Sequence, residues 1–521
     1  MTVIGLERIS RGLRRLPLLV AFLALAGTAW AQAPSGALRV GFESFFGESF
    51  DPIISSSGNK SFLSPMWNTV IGNEPDGRLS KETGLAADWD VKHATDSSTY
   101  VIKLRKGVKF HNGDELTSAD VKYSIERVMS PTSVETMKSA FVSTIASIET
   151  PDPLTVVIKT KAPYGFLLYD LSNSRGLAGY VYPKKYVETV GAARFNREPV
   201  GTGPYRFVRH EPGNRMVYEA FPGYWGKQPK YKTLEFILLP EETTRIAALK
   251  SNAVDIAIVS RASLNQLSGY KLVRKPGEVL FWVDMPMVFA PDSVFKDERI
   301  RRALNLAINR DEIRDYIYKG QAQVTQWTAS GTKALGYKAL DPYPYDPETA
   351  RKLVREVFPR GLELEIYSYS RSGNPEMPRV MEAIAGYYQA IGIKTRITPM
   401  DWGEIRKRMS DRKLSNVIVP IGGPNTPFQH NVFHTMYATK GVLSVLNPAP
   451  PELEKMLADI YRETDQDSFA AKQYALAKYI QDNHLTIPLM EVGQIFAVNT
   501  SKVTDWVPKN IADDMNWEGI R

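Results

Sequence analysis

Residues 100–127 read YVIKLRKGVKFHNGDELTSADVKYSIER, a stretch that settles three consecutive structural decisions. Tyr100, Ile102 and Leu104 alternate with Val101, Lys103 and Arg105, which is the period of a half-buried strand, and Asn112-Gly113 supplies a pair tolerant of positive φ for the turn. Thr117 is placed to cap the N–H of Asp120 while the Asp120 carboxylate reaches back, and Leu116 and Val121 hold the two positions of a hydrophobic staple. Val121, Ile125 and Val128 mark the face this helix buries. Strand, turn and capped helix in that order demand a mixed α+β unit.

The N-terminus carries a different signal. Arg8, Arg11, Arg14 and Arg15 form a basic start, residues 16–27 an apolar run, and Ala29-Trp30-Ala31 a small-residue cleavage pattern before Gln32. The apolar run is shorter than a membrane span. Arg14-Arg15 lacks the flanking residues of a twin-arginine signal, so ordinary secretion with cleavage after residue 31 is expected. The chain has 521 residues and no cysteine, so disulfides are excluded and packing alone must stabilise a mature protein ample for two or more cores. Its formal charge of +8 is spread among acidic residues, without the clustered stripe of a nucleic-acid footprint.

Leu38, Val40 and Phe42 alternate as a first strand, and the loop 43–51 follows it. Residues 67–182 are mostly strands and turns around the capped helix and read as an inserted α+β domain. Residues 234–239, a helix opened by Glu241-Glu242, and residues 254–259 form a β-α-β unit with parallel pairing. Further on, Ile300, Ala303, Leu304, Ala307 and Ile308 share one helical face. Asp346-Pro347 gives a cap and first-turn proline, and residues 362–369, 377–390 and 393–397 form another β-α-β unit.

Five motifs in order, GLAADWDV (84–91), GTGPYRFV (201–208), FKDERIRRALNLAINRDEI (295–313), YDPETARKLV (345–354) and IPLMEVGQIFAVN (487–499), make the chain similar to family-five extracellular solute-binding proteins of ABC importers. That group includes dipeptide-, oligopeptide-, opine- and nickel-binding receptors. The resemblance implies an α/β, two-lobed periplasmic-binding-protein-like fold with an extra inserted α+β domain and a ligand cleft between the lobes. It places lobe one in 32–66, 183–285 and 490–521, the insertion in 67–182, and lobe two in 286–489. The lobes are expected to join near 181–184, 284–288 and 489–493. It also implies a monomeric receptor in the periplasm, without a lipid anchor because no cysteine follows the signal. Such a receptor delivers a peptide-like, opine-like or glycoconjugate solute to an ABC permease and its ATPase subunits, with no cofactor and no nucleic acid.

No catalytic constellation stands out. None of the six histidines lies in a zinc-protease or nucleophile-elbow motif. Gly201-Thr202-Gly203 is followed by Pro204 and Tyr205 where a phosphate-binding helix would open, so it reads as a tight turn. His430 and His434 are four apart and share a helical face, the spacing of two metal ligands, but no third ligand accompanies them. They are metal ligands only under the alternative of a nickel or metallophore receptor. The different-class alternative is a secreted hydrolase using the same cleft.

Residues 420–433, PIGGPNTPFQHNVF, stand where the resemblance implies an aspartate for a peptide's α-ammonium, and here no acid appears. Losing that partner costs about 3–5 kcal/mol, so the expected solute lacks the ammonium and is held by Asn425, Phe428 and His430. A plain Gly/Pro-rich structural loop is the competing reading. Phe45, Phe46 and Glu48 follow a strand's carboxyl end, where open α/β sheets bind ligands, although loop aromatics also pack into cores. Trp282 is a candidate stacking surface, with the alternation at Phe281-Trp282 sending one ring to the core. Arg175 is a candidate partner for a ligand carboxylate or phosphate.

Overall fold

The computed structural model describes residues 33–521 except 46, 56, 136, 372, 429, 442, 444 and 512. The expected export signal, residues 1–31, lies outside the described residues. Among the described residues no helix is long and apolar enough to cross a membrane.

The alternation at Leu38, Val40 and Phe42 buries all three on the strand Ala37–Phe42. This strand pairs in parallel with Thr233–Leu238 on one side and Ile256–Val259 on the other. The β-α-β unit read from the sequence therefore has the N-terminal strand inserted between its two strands, with helix Glu242–Lys250 making the crossover. Local patterning cannot reveal that intercalation, because the inserted strand is about two hundred residues away in sequence. In the second α/β region, Leu362–Ser368 and Ile393–Pro399 pair directly in parallel, as the pattern predicts. Asp346 caps the helix Pro347–Val357 through the Thr349 N–H at 3.0 Å.

All these strands belong to one sheet, eleven-stranded among the described residues. Its order is Ile393–Pro399, Leu362–Ser368, Val417–Pro424, Lys271–Asp284, Thr486–Val498, Ile256–Val259, Ala37–Phe42, Thr233–Leu238, Arg215–Ala220 and Tyr205–Glu211; Ala322–Val324 pairs alongside Thr486–Val498. The two long central strands run antiparallel, and their register breaks between Lys275 and Val279. Before the break, the second strand's Ile495–Val498 half faces Ile256–Val259; beyond it, the first strand's Val279–Asp284 half faces Val417–Pro424.

That break moves the expected junctions. Val279 to Val283 are buried with Leu304, Ile366 and Leu489 in the second core, so the first long strand passes between lobes at 276–278 rather than at 284–288. Tyr180, Val181 and Tyr182 sit in the first core, so the passage at 181–184 joins the inserted region to lobe one, not one lobe to the other. The inserted region shares this core: Tyr100 and Ile125 cluster with Leu38 and Phe236.

The inserted sheet has the order Ala86–His93, Ser98–Leu104, Thr155–Thr160, Ile145–Asp152, all antiparallel. The helix Ser118–Met129 begins as the sequence predicts, with Leu116 and Val121 buried. One Asp120 oxygen accepts from the Thr117 N–H at 2.9 Å and hydroxyl at 2.7 Å; the other accepts from Lys184 N–H at 2.9 Å, tying the cap to the return passage.

The Gly201-Thr202-Gly203 turn packs backbone to backbone against residues 65–67, with the Gly203 N–H donating to Met66 O at 2.8 Å. A Cβ on Gly203 would stand 2.4 Å from the Met66 carbonyl carbon. Gly203→Ala is therefore expected to destabilise the protein by about 1–3 kcal/mol, as for an overpacked core, measured as a lower midpoint in urea with unchanged slope.

Candidate functional site at the strand crossing

A cavity of about 620 Å³ opens where the long strands cross, lined among others by Arg261, Lys275 and Gln494 on one side and Lys333, Asn425 and Glu491 on the other. This is the size of a single-solute pocket. Lys275 is buried and donates to the carbonyls of Ile511 at 2.6 Å and Asp514 at 2.9 Å, which anchors the C-terminal segment as one wall.

Two polar ties close the cleft. Arg261, in the short helix Arg261–Leu267 of lobe one, pairs with Glu376 of lobe two at 3.3 Å, with both side chains no more than 5% exposed. Its other terminal nitrogen donates to Gly493 O on the second crossing strand. Glu43, at the carboxyl end of the first strand, accepts from Gly373 N–H at 3.3 Å.

Around these ties, four buried polar atoms lack a hydrogen-bond partner among the described residues: Arg261 Nε, Arg371 Nη1, Asn374 Nδ2 and Gln494 Oε1. Arg261 and Gln494 line the cavity, whereas Arg371 and Asn374, bridged to each other through their backbone, stand beside it and are not part of its lining. Asn374 accepts from the Tyr318 hydroxyl at 2.9 Å, the Arg261 guanidinium lies 5.5 Å from the Tyr318 ring centre, and a Cβ on Gly373 would stand 3.9 Å from the Gln494 amide carbon. Each buried orphan costs on the order of 1–3 kcal/mol, so a concentration of them marks a place where a polar ligand restores the missing bonds.

Arg371 is positioned by its local backbone. It follows the strand Leu362–Ser368 at its carboxyl end and lies across Gly422, where a Cβ would come within 2.5 Å of its Cδ. Gly422 N–H in turn donates to the Tyr369 hydroxyl at 3.2 Å, and Tyr369 stacks on Trp402 with ring centres 5.3 Å apart. Burial pushes the Tyr369 phenol up to about 12, with the Arg371 charge pulling the other way. The result is a guanidinium beside two half-buried aromatic faces, suited to a carboxylate on a compact organic body.

The sequence candidates separate into three groups. Asn425 lines the cavity, but its amide is engaged on both ends: Oδ1 accepts from Gly331 N–H at 2.9 Å and Nδ2 donates to Glu491 at 3.2 Å. Arg175 and Phe428 meet each other, the guanidinium 5.5 Å from the ring centre, in a seam away from the cavity lining. Arg175 pairs with buried Asp170, and Phe428 packs on Phe166, Tyr169 and Phe469, joining the inserted region to lobe two. Phe45, Trp282 and Glu48 are structural. Phe45 packs on Phe42 and Phe62 in the first core; Trp282 lies over Gly423 in the second and donates Nε1 to Asp284 at 3.2 Å; Glu48 accepts from His210 at 2.6 Å and pins the loop to the neighbouring hairpin. Alternation therefore misleads at Phe281-Trp282: both faces of a central strand are covered, and both rings are buried.

Phe46 and the side chain of His430 lie outside the described residues. His434 is half-buried against Tyr461, and burial pushes its imidazole pKa down. Among the described residues no cluster of three His, Asp or Glu side chains is arranged to hold a metal.

Arg371, Gln494 and Glu491 were missed in the sequence. The signal for Arg371 is its place at the carboxyl end of a parallel strand, where open α/β sheets gather ligands. Glu491 lies inside the motif 487–499 and gives no local sign, since its neighbour Asn425 is 66 residues away.

These features define a two-lobed α/β solute-receptor fold with a cavity where the lobes are joined by crossing strands. Residues 82–443 match the family model of bacterial extracellular solute-binding proteins, family 5, and the chain belongs to that family, the solute-binding components of ABC importers. It is 27% identical to the dipeptide-binding protein of Escherichia coli over 421 residues, covering 75% of this chain and 77% of that one. It is 29% identical to di/tripeptide-binding protein 2 of Pseudomonas aeruginosa over 446 residues, covering 79% and 81%. The periplasmic binding protein DppA of Helicobacter pylori in complex with the peptide STSA shares the fold, with a TM-score of 0.80 at 21% identity over 93% of this chain and 98% of the other.

The Trp282 environment generates a pH prediction. Asp284 accepts from Trp282 Nε1 and from the Tyr437 hydroxyl at 2.9 Å, yet Oδ2 has no partner among the described residues, and burial raises its pKa to about 7. In the folded state it holds its proton where the unfolded chain has lost it. Its contribution to stability is therefore complete below about pH 4 and is lost as pH rises to about 7, by an amount on the order of 3 kcal/mol. Asp284→Asn is expected to flatten this part of the pH–stability curve, measured by urea denaturation from pH 4.5 to 8.5.

Proposed function

We propose that this chain is a periplasmic, non-enzymatic receptor that captures a carboxylate-bearing peptide-like or opine-like solute in the cleft and presents it, closed, to an ABC permease. The cluster of unsatisfied donors around Arg371 is the observation that carries this reading. Arg371 Nη1 and Asn374 Nδ2 call for an anionic acceptor, and Gln494 Oε1 for a donor. The two long strands act as the hinge, flexing at the register break near 276–278 and at Gly493. The export signal is cleaved, no lipid anchor is attached, and the receptor works as a monomer.

Closure follows from differential binding. Solute groups that satisfy Arg371 and Asn374 on lobe two together with Gln494 at the crossing exist as a set only when the lobes meet, and a solute shifts the open–closed balance only by that difference. The Arg261–Glu376 pair and the Phe166–Phe428 seam add ligand-independent stability to the same state. Their strength sets how much binding energy each solute must supply.

A thermal-shift screen of dipeptides, opines, glycoconjugates and nickel chelates tests the reading. Carboxylate-bearing peptides or opines should raise Tm, and Arg371→Ala should weaken them by at least about 30-fold, as for loss of one partner in a buried charge pair. A nickel chelate as the only stabilising compound, or turnover of a bound solute, would contradict it. Glu376→Gln should instead weaken every bound solute by the same factor in calorimetry, because it acts on closure and not on the solute.

A further inference from the structure

The turn that carries Arg371 and Asn374 is gripped from lobe one by an acid whose purpose the solute contacts leave unexplained. Arg371 and Asn374 are the first and fourth residues of that turn. The Asn374 N–H donates to Arg371 O at 3.0 Å, and Gly373 holds the third position at φ +80°, where a side chain would be strained. A Cβ on Gly373 would stand 3.2 Å from a methyl of Val279, so the turn lies on the crossing strand Lys271–Asp284. From lobe two, the Tyr318 hydroxyl holds the Asn374 amide at 2.9 Å. From lobe one, the hold is Glu43, whose Oε1 accepts from the Gly373 N–H at 3.3 Å.

Glu43 is itself aimed. It follows the last residue of Ala37–Phe42 and its side chain is 13% exposed. Its Oε2 lies 3.6 Å from Arg245 Nη2, and that guanidinium is fixed by carbonyls at the ends of the two neighbouring strands. Nε donates to Ile258 O at 2.9 Å, and Nη1 donates to Leu239 O at 2.6 Å and Pro240 O at 2.7 Å. Three parallel strand ends thus converge on one carboxylate. One of its oxygens faces a cation and the other a backbone N–H, so both neighbours are donors. A glutamine could satisfy one of them only by turning its own N–H groups on the other. Bracing the loop 43–51 calls for no such group, because Asn196 already accepts from the Phe50 and Asp51 N–H groups at 2.8 and 2.9 Å.

We infer that Glu43 is a positioning residue for solute recognition: through the Gly373 N–H it sets the tilt of the 371–374 turn, and so the aim of the Arg371 guanidinium and the Asn374 amide at the solute's anionic group. The inference rests on the receptor reading above and adds to it a residue that acts through another. Glu376, two residues beyond the turn, differs in kind, since its pair with Arg261 acts on closure for any solute. The hold on Gly373 also spans the cleft, but its effect scales with the groups that the turn presents.

Calorimetry on the full chain tests it with matched probes: alanyl-alanine and its C-terminal amide, and the imino-diacid opine N-(1-carboxyethyl)arginine and its diamide. Wild type should prefer the carboxylate of a pair. Glu43→Gln should cut that preference by at least about tenfold, the worth of a hydrogen bond to a charged group, while Glu376→Gln leaves it unchanged. In an Arg371→Ala background the further loss caused by Glu43→Gln should nearly vanish, because both act at one turn. Additive losses, or an undiminished preference in Glu43→Gln, would overturn the inference and leave the receptor reading intact. Glu43→Asp keeps a charge beside Arg245 but draws it back from Gly373; it should show the same loss at the Tm of wild type, and it decides the case should Glu43→Gln fold poorly. Binding of no probe by wild type would count against the receptor reading. The inference is then decided on the solute-free protein, where Glu43→Gln should speed backbone amide exchange across 369–376 and unchanged exchange there would overturn it.

Discussion

Everything in this molecule hangs on the antiparallel pairing of Lys271–Asp284 with Thr486–Val498. These strands are the middle of a sheet that belongs to both lobes, so each lobe is built outward from a shared seam instead of being attached by a flexible linker. The pairing shifts register twice, between Lys275 and Val279 and between Phe281 and Trp282, and the longer interruption falls where the strand leaves the first core for the second. The break also opens the backbone where the cavity lies. Glu491 and Gln494 line that cavity from one crossing strand and Lys275 from the other.

The polar economy of the cleft follows from this placement. Burying Arg261 with Glu376 is tolerable because the pair is mutual and the guanidinium also reaches Gly493 O. Arg371 Nη1, Asn374 Nδ2 and Gln494 Oε1 have no such compensation among the described residues. The aromatic seam of Phe166, Tyr169, Phe428 and Phe469 offsets part of the cost of burying them, since ring pairs at these separations contribute about 0.5–1.5 kcal/mol beyond their buried area.

Much of the fold was legible in the sequence because its signals are local. The cap at Thr117 and Asp120, the first strand at Leu38 to Phe42 and the proline-started helix after Asp346 each depend on residues within one or two turns of each other. The site was less legible, for a physical reason. Aromatic residues were natural candidates, yet Phe45 and Trp282 are core groups, because a sheet covered on both faces needs large apolar side chains at those positions. The groups left unsatisfied are long polar side chains on strands and turns from distant parts of the chain, brought together only by the crossing. Asn425 shows both aspects: it was expected to hold the solute and lines the cavity, but its amide serves Gly331 and Glu491.

A crystal structure of the protein with a bound solute tests the central claim most directly. The account predicts density between the lobes, with an anionic group against Arg371 Nη1 and Asn374 Nδ2 and a donor against Gln494 Oε1, in a molecule whose Arg261–Glu376 pair is formed. Solute bound elsewhere on the protein, or bound in the cleft with those atoms still without partners, would contradict it.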